Sequence, residues 1–370
     1  MARKTLCTLS TDNLLNNLDV IKKHAPKAKI TAMVKANAYG HGIRSVAKRL
    51  QGVVDSLGVA AIDEALALRQ ALVTTPITLI EGVFSPEELS IAADHNFSIV
   101  FNNNQQLYWL KNAKLSSKIH AWIKLNTGMG RLGFSPEEAD NAWTFLHNCA
   151  GVHQPIGIVS HLACADMPQH PLTTKQIATF RDFAAAHDGP KSFANSAAIF
   201  DLPEIHYDWI RPGIALYGAS PFEDRSAASL GLKPVMTFQT RLITVQHFKR
   251  GDTIGYGATY TCPEDMPIGI AAVGYGDGYP RSMKQGTPVL VNDERCPLVG
   301  RICMDMAAID LRSCADALPD DVVTLWGHGL PIEDLLPYTD HLSYDLLSGI
   351  MNRVRFVWED RAKQSSSKVA

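Results

Sequence analysis

The chain has 370 residues, of which 46% are hydrophobic and 19% charged, the balance of a protein with a full apolar core. Its 35 lysines and arginines stand against 37 acids, so no basic surface for nucleic acid or anionic membrane is encoded. The length exceeds the usual single domain, and one large domain with a smaller companion is expected.

The opening MARKTLCTLSTDNLL has no long apolar stretch and no small-residue cleavage site, so no secretory signal is expected. No apolar run approaches the roughly 18 residues of a membrane-spanning helix. Seven cysteines (Cys7, Cys149, Cys164, Cys262, Cys296, Cys303, Cys314) are scattered and never form CxxC. An odd, dispersed set reads as reduced thiols of a cytoplasmic protein.

From there β-rich runs alternate with helical stretches. Strands are expected at Ile30 to Lys35, Ser56 to Ile62, Pro76 to Gly82, Phe97 to Asn103, Lys118 to Asn126, Pro155 to His161, Lys191 to Asn195 and Asp208 to Gly213. Between them, DEALALRQAL spaces its apolar residues at helical intervals. SPEELSIAADH and SPEEADNAWTFLHN each begin with a serine cap and acids in the first turn. About eight βα units in about 200 residues predict a (β/α)₈ barrel, a TIM barrel, with chemistry at the C-terminal ends of its strands. After Leu232 the texture becomes short strands broken by Gly, Pro and Asp, from VMTFQTRLITVQHF through DVVTLWG, which reads as a mainly antiparallel β domain. A helix around Asp340 to Asn352 and a last strand, RVRFVW, follow, and AKQSSSKVA reads as a disordered tail. The expected division is therefore 1–232 and 233–370 within an α/β chain.

Lys35, in VKANAYGHG, ends an apolar strand. There an amine is desolvated by the barrel interior and becomes a competent Schiff-base nucleophile. TGMGRLG (Thr127 to Gly133) has the form GxGxxG, but no acid ends the next strand and the motif belongs to the fifth unit, so a dinucleotide site is rejected. His161, Cys164 and Asp166 lack a second ligand cluster, and no metal site is expected.

VKANAYGHG resembles the cofactor-lysine signature of alanine racemases. The likeness continues through TGMGRLG, SHLACAD (Ser160 to Asp166), NSAA (Asn195 to Ala198), RPGIALYG (Arg211 to Gly218), GYGATY (Gly255 to Tyr260), GYGDGYPR (Gly274 to Arg281) and VGRICMDM (Val299 to Met306). It implies a homodimeric, pyridoxal-5'-phosphate-dependent isomerase that interconverts L- and D-alanine and supplies D-alanine for peptidoglycan. Lys35 would carry the cofactor. Tyr39, Ser196, the amides of Gly213 and Ile214, and Tyr344 would bind its phosphate, and Arg211 its ring nitrogen. Lys35 and Tyr256 would be the two proton carriers, Tyr256 reaching in from the second subunit with His161 and Arg211 supporting it. Arg131 would hold the substrate carboxylate, with Lys124 as a carbamylated lysine beside it. Met304 would add a contact through its backbone amide, and Tyr275 would narrow the access corridor. A broader-specificity racemase shares most of this pattern. A decarboxylase of the same architecture pairs the ring nitrogen with a carboxylate, where RPGIALYG offers arginine.

Overall fold

The computed structural model describes residues 3–359, so the polar tail reading lies outside the described residues. The chain forms two compact units. One comprises Leu18–Leu216 with Pro221–Asp224. The other comprises the described residues up to Asn17, Tyr217–Ser220 and those from Arg225 on.

The first strand, β1 (Leu6–Ser10), belongs to the second unit, where it pairs antiparallel with β10 (Met236–Phe248) and parallel with β18 (Arg355–Glu359). The division expected at residue 232 therefore differs from the compact units at both ends. The five residues LCTLS carry no local sign of partners more than 200 positions away.

The barrel unit holds β2 (Lys29–Met33), β3 (Ser56–Val59), β4 (Ile77–Leu79), β5 (Phe97–Phe101), β6 (Ile119–Lys124), β7 (Val152–Val159), β8 (Lys191–Ser192) and β9 (Trp209–Ile210), all parallel. The ring closes where Lys29 and Ile30 pair with Trp209 and Ile210. Each strand lies within or beside one of the eight expected segments. They were readable because a parallel strand covered on both faces is a continuous apolar run, and β3 and β4 are buried at every position. The helix Ile43–Leu50 turns Val46, Ala47 and Leu50 inward. Ser135 and Glu138 form a full capping box on the helix Pro136–Asn148. The similar start at Ser85 forms no such cap. The helix begins at Glu87, with Pro86 before it.

In the second unit β10 is 13 residues long and serves two neighbourhoods. Phe238 to Arg241 pair with β17 (Val322–Trp326), and Leu242 to Phe248 pair with β13 (Met266–Ala271), with a register shift between Leu242 and Thr244. With β14 (Pro288–Val291), β15 (Glu294–Val299) and β16 (Ala307–Asp310), these strands make an antiparallel ring. β14 and β15 are joined by Asn292 and Asp293, both at positive φ, the residue types that a two-residue hairpin turn favours. A small hairpin of β11 (Thr253–Ile254) and β12 (Tyr260–Thr261) carries Tyr256 in its connection.

Candidate active site

Residues with chemistry fall where barrel strands end, as the fold dictates. Lys35 is two residues beyond β2, Lys124 is the last residue of β6, His161 is two residues beyond β7, and Arg211 follows β9 directly. After Lys35 the backbone makes an unusual turn. Ala36, Asn37, Ala38 and Tyr39 all lie at φ between +51° and +56°, a left-handed turn without a glycine. Such residues cost about 1–2 kcal/mol each in that conformation, so the surroundings must hold them. Glu64 accepts from Ala36 N–H at 2.7 Å with one oxygen and from Ala60 N–H at 2.8 Å with the other. Asn37 Oδ1 accepts from Ile43 N–H at 2.9 Å.

The turn brings Tyr39 back to the loop after β9. A Cβ on Gly213 would lie 2.5 Å from the Tyr39 hydroxyl, so only glycine leaves this space. Ser196, which begins the helix Ser196–Asp201, is buried, and its oxygen accepts from Gly213 N–H at 2.9 Å and Ala215 N–H at 3.4 Å. With both lone pairs taken, its O–H is the free donor. Two hydroxyls facing bare backbone, with no room for a side chain, form an anion cradle that fits the phosphate of pyridoxal phosphate. The Gly213 N–H, expected to meet that anion, donates to the Ser196 oxygen in this structure.

Five groups shape the electrostatics: Lys35, Lys124, Arg131, Arg211 and His161. Arg211 is buried and donates to Ser192 Oγ at 2.6 Å and to the carbonyls of Ser160 and Phe193. No carboxylate pairs with it among the described residues. Burial pushes it down to about 10, still cationic at neutral pH. Its Nη2 lies 3.4 Å from His161 Nδ1. Arginine can only donate, so Nδ1 accepts and the histidine proton resides on Nε2. Burial, then the charges of Arg211, Lys124, Arg131 and Lys35, hold this imidazole well below its ordinary range and therefore neutral. His161 thus brings a hydrogen bond, and the positive charge comes from Arg211.

The expected desolvated lysine differs from the observed one. Lys35 keeps 32% of its side-chain surface and has Glu81 Oε1 3.5 Å away. Lys124 is the enclosed amine, only 6% exposed. Its pKa is lowered to about 8 by burial and by Arg211, Arg131 and Lys35, with Glu81 opposing. The reason is geometric: Lys124 is still inside its strand, whereas Lys35 has left the strand for the loop. Arg131 stands in the loop Thr127–Gly133, which folds back on β6 through Phe134 N–H to Lys124 O and Asn126 N–H to Phe134 O. Asn126 Oδ1 accepts from Gly128 N–H and Gly130 N–H, so these glycines brace the loop. A small pocket is lined by Lys124, Arg131, Ser160 and His161.

Two contributors escaped the sequence reading. Glu81 left a signal, a carboxylate at the end of the expected strand PITLIEG. Gln176 left none. Buried on the helix Pro171–Ala186, it donates to Thr127 Oγ1 and His161 O and accepts from Ala163 N–H, tying the Arg131 and His161 loops together. Tyr256, Tyr275, Met304 and Tyr344 all lie in the β unit with exposed side chains, Tyr256 at 71%. Ile214, buried beside Gly213, is in the barrel unit.

The alanine racemase N-terminal domain family model matches residues 9–221, and the alanine racemase C-terminal domain model matches residues 235–358. An alanine racemase of Coxiella burnetii is 43% identical over 359 residues, covering 96% of this chain and 98% of the relative. The biosynthetic alanine racemase of Escherichia coli is 43% identical over 348 residues, covering 94% and 97%. The crystal structure of a biosynthetic alanine racemase from Pseudomonas aeruginosa superposes with a TM-score of 0.94 at 38% identity, covering 97% of this chain and 100% of that one.

Proposed function

The chain belongs to the alanine racemase family, and on that premise we propose that it exchanges L- and D-alanine with Lys35 and a second copy's Tyr256 on opposite faces of the substrate α-carbon. Removing the proton on one face and returning it on the other inverts the centre. Lys35 would hold pyridoxal phosphate through its amine, and the group, when bound, would supply the electron withdrawal that makes the α-proton acidic. Tyr39, Ser196, the backbone at Gly213 and Ile214, and Tyr344 would hold its phosphate. Arg211, remaining cationic, would donate to its ring nitrogen and would leave that nitrogen without a proton.

His161 would offer its Nε2–H to the Tyr256 oxygen of the second copy, with the positive charge of Arg211 behind it. Arg131 grips the substrate carboxylate, aided by the second copy's Met304 amide. A carbamate on Lys124 supplies the negative charge that orients Arg131, and Tyr275 narrows the approach. The exposure of Tyr256, Tyr275 and Met304 supports a homodimer with shared sites. Two relatives are named biosynthetic, which supports a supply of D-alanine for peptidoglycan from the cytoplasm. No helix among the described residues is long and apolar enough to cross a membrane.

One observation carries the chemistry: Lys35 at a barrel-strand end shares its surroundings with Lys124, Arg131, His161 and an Arg211 whose partners among the described residues include no acid. Borohydride reduction followed by peptide mapping should fix the cofactor on Lys35, and labelling elsewhere overturns the assignment. Tyr256→Phe should slow α-proton exchange from L-alanine by roughly 100-fold or more while sparing that from D-alanine. Equal losses from both enantiomers contradict the division of labour.

A further inference from the structure

We propose that Asp277, bridged by Arg3 and Arg353, is a positioning residue that aims the Met304 amide and fixes Tyr275 beside it. This inference rests on the proposed roles of those two residues and adds the device that places them. The Asp277 side chain is 2% exposed, yet it is ionisable and lies in none of the roles above. One of its oxygens accepts from Arg3 Nη1 at 3.0 Å and Arg353 Nε at 2.7 Å. The other accepts from Arg3 Nη2 at 2.8 Å and Gly274 N–H at 2.9 Å. Both arginines then reach past Asp277 to the second loop. Arg353 donates to Met304 O at 3.2 Å and to the Asp305 carboxylate at 2.8 Å, and Arg3 donates to Asp305 O at 2.9 Å.

Backbone hydrogen bonds complete the clamp. Tyr275 N–H donates to Cys303 O at 3.1 Å, and Gly276 N–H to Met304 O at 2.9 Å. A trans peptide is planar, so fixing Cys303 O fixes the direction of Met304 N–H on the same plane, pointing the opposite way. The loops approach so closely that a Cβ on Gly274 would lie 2.2 Å from Cys303 O, and one on Gly276 would lie 2.5 Å from Arg353 Nη2. Four formal charges, two of each sign, thus hold the Met304 and Asp305 carbonyls and, through Gly274 N–H on Asp277, the turn whose Tyr275 N–H fixes the Cys303–Met304 plane. A buried carboxylate meeting planar guanidinium forks gives fixed directions that a single ammonium cannot.

The test is steady-state kinetics of the cofactor-loaded enzyme with cofactor content, dimer content and melting temperature measured alongside. Asp277→Asn should raise KM for alanine by about tenfold or more, with a smaller change in kcat. Arg3→Ala, on a side chain 36% exposed, should give a milder KM rise in the same direction and keeps the test open if Asp277→Asn fails to fold. Arg3→Lys should restore only part of it. A lowered melting temperature with unchanged KM in both variants overturns the inference and leaves Asp277 a structural ion pair. Met304→Pro, which removes the amide proton, separates the two levels. If it leaves KM unchanged, the substrate role of Met304 falls. If it raises KM while Asp277→Asn and Arg3→Ala do not, only the positioning role falls.

Discussion

Lys124 shows how one side chain's surroundings set its chemistry. With its pKa lowered from 10.5 to about 8, roughly a tenth of this amine is neutral at pH 7, against about one part in three thousand at the ordinary value. Only the neutral amine attacks carbon dioxide. In ¹³C-bicarbonate the protein should therefore show a carbamate resonance that Lys124→Arg lacks. The signal should fade as pH falls from 8 to 6, because protonation removes the nucleophile. Its absence at pH 8 would sink the carbamate. The linked stability has the opposite sense from that of a salt-bridged lysine. The folded pKa lies below the unfolded one, so the unfolded state binds more protons between pH 8 and 10.5, and without carbon dioxide stability rises with pH across that window. A melting temperature that falls there in the wild type, relative to Lys124→Met, would contradict it. At this scale the sequence showed which residues stand at strand ends, including Lys35, His161 and Arg211. It did not show which lysine is enclosed, because one residue inside the strand or two beyond it decides that.

At the scale of elements, the loops after β2 and β9 depend on each other through Tyr39 and Gly213. Gly213→Ala puts a methyl where the Tyr39 hydroxyl rests, so the tyrosine must swing out. Cofactor affinity should fall about 10- to 100-fold, read by absorbance during dialysis, with little change in circular dichroism. Unchanged affinity would show that the contact holds nothing. The strands themselves were legible because burial on both faces imposes long apolar runs. The left-handed turn was not. Ala36, Ala38 and Tyr39 carry no preference for positive φ, and the turn is imposed from outside by Glu64, 28 positions later. β1 was hidden for a similar reason, since its partners come from the far end of the chain. What local periodicity specifies could be read, and what distant residues impose could not.

For the whole molecule, the proposed proton carriers belong to different compact units, Lys35 to the barrel and Tyr256 to the β unit. If each site takes one carrier from each of two copies, inactive variants must complement one another. A dimer formed from one Lys35→Ala chain and one Tyr256→Ala chain has one site with both defects and one with neither. Random re-pairing of equal amounts makes about half the dimers mixed, each with one intact site, so activity should recover to about one quarter of the wild-type value. Mixing is done under conditions that exchange subunits, with each variant re-paired alone as the control. If both carriers instead come from the same chain, every site in every mixture keeps a defect and nothing is recovered. That outcome would confine the site to one chain and remove the reason for Tyr256 to be exposed.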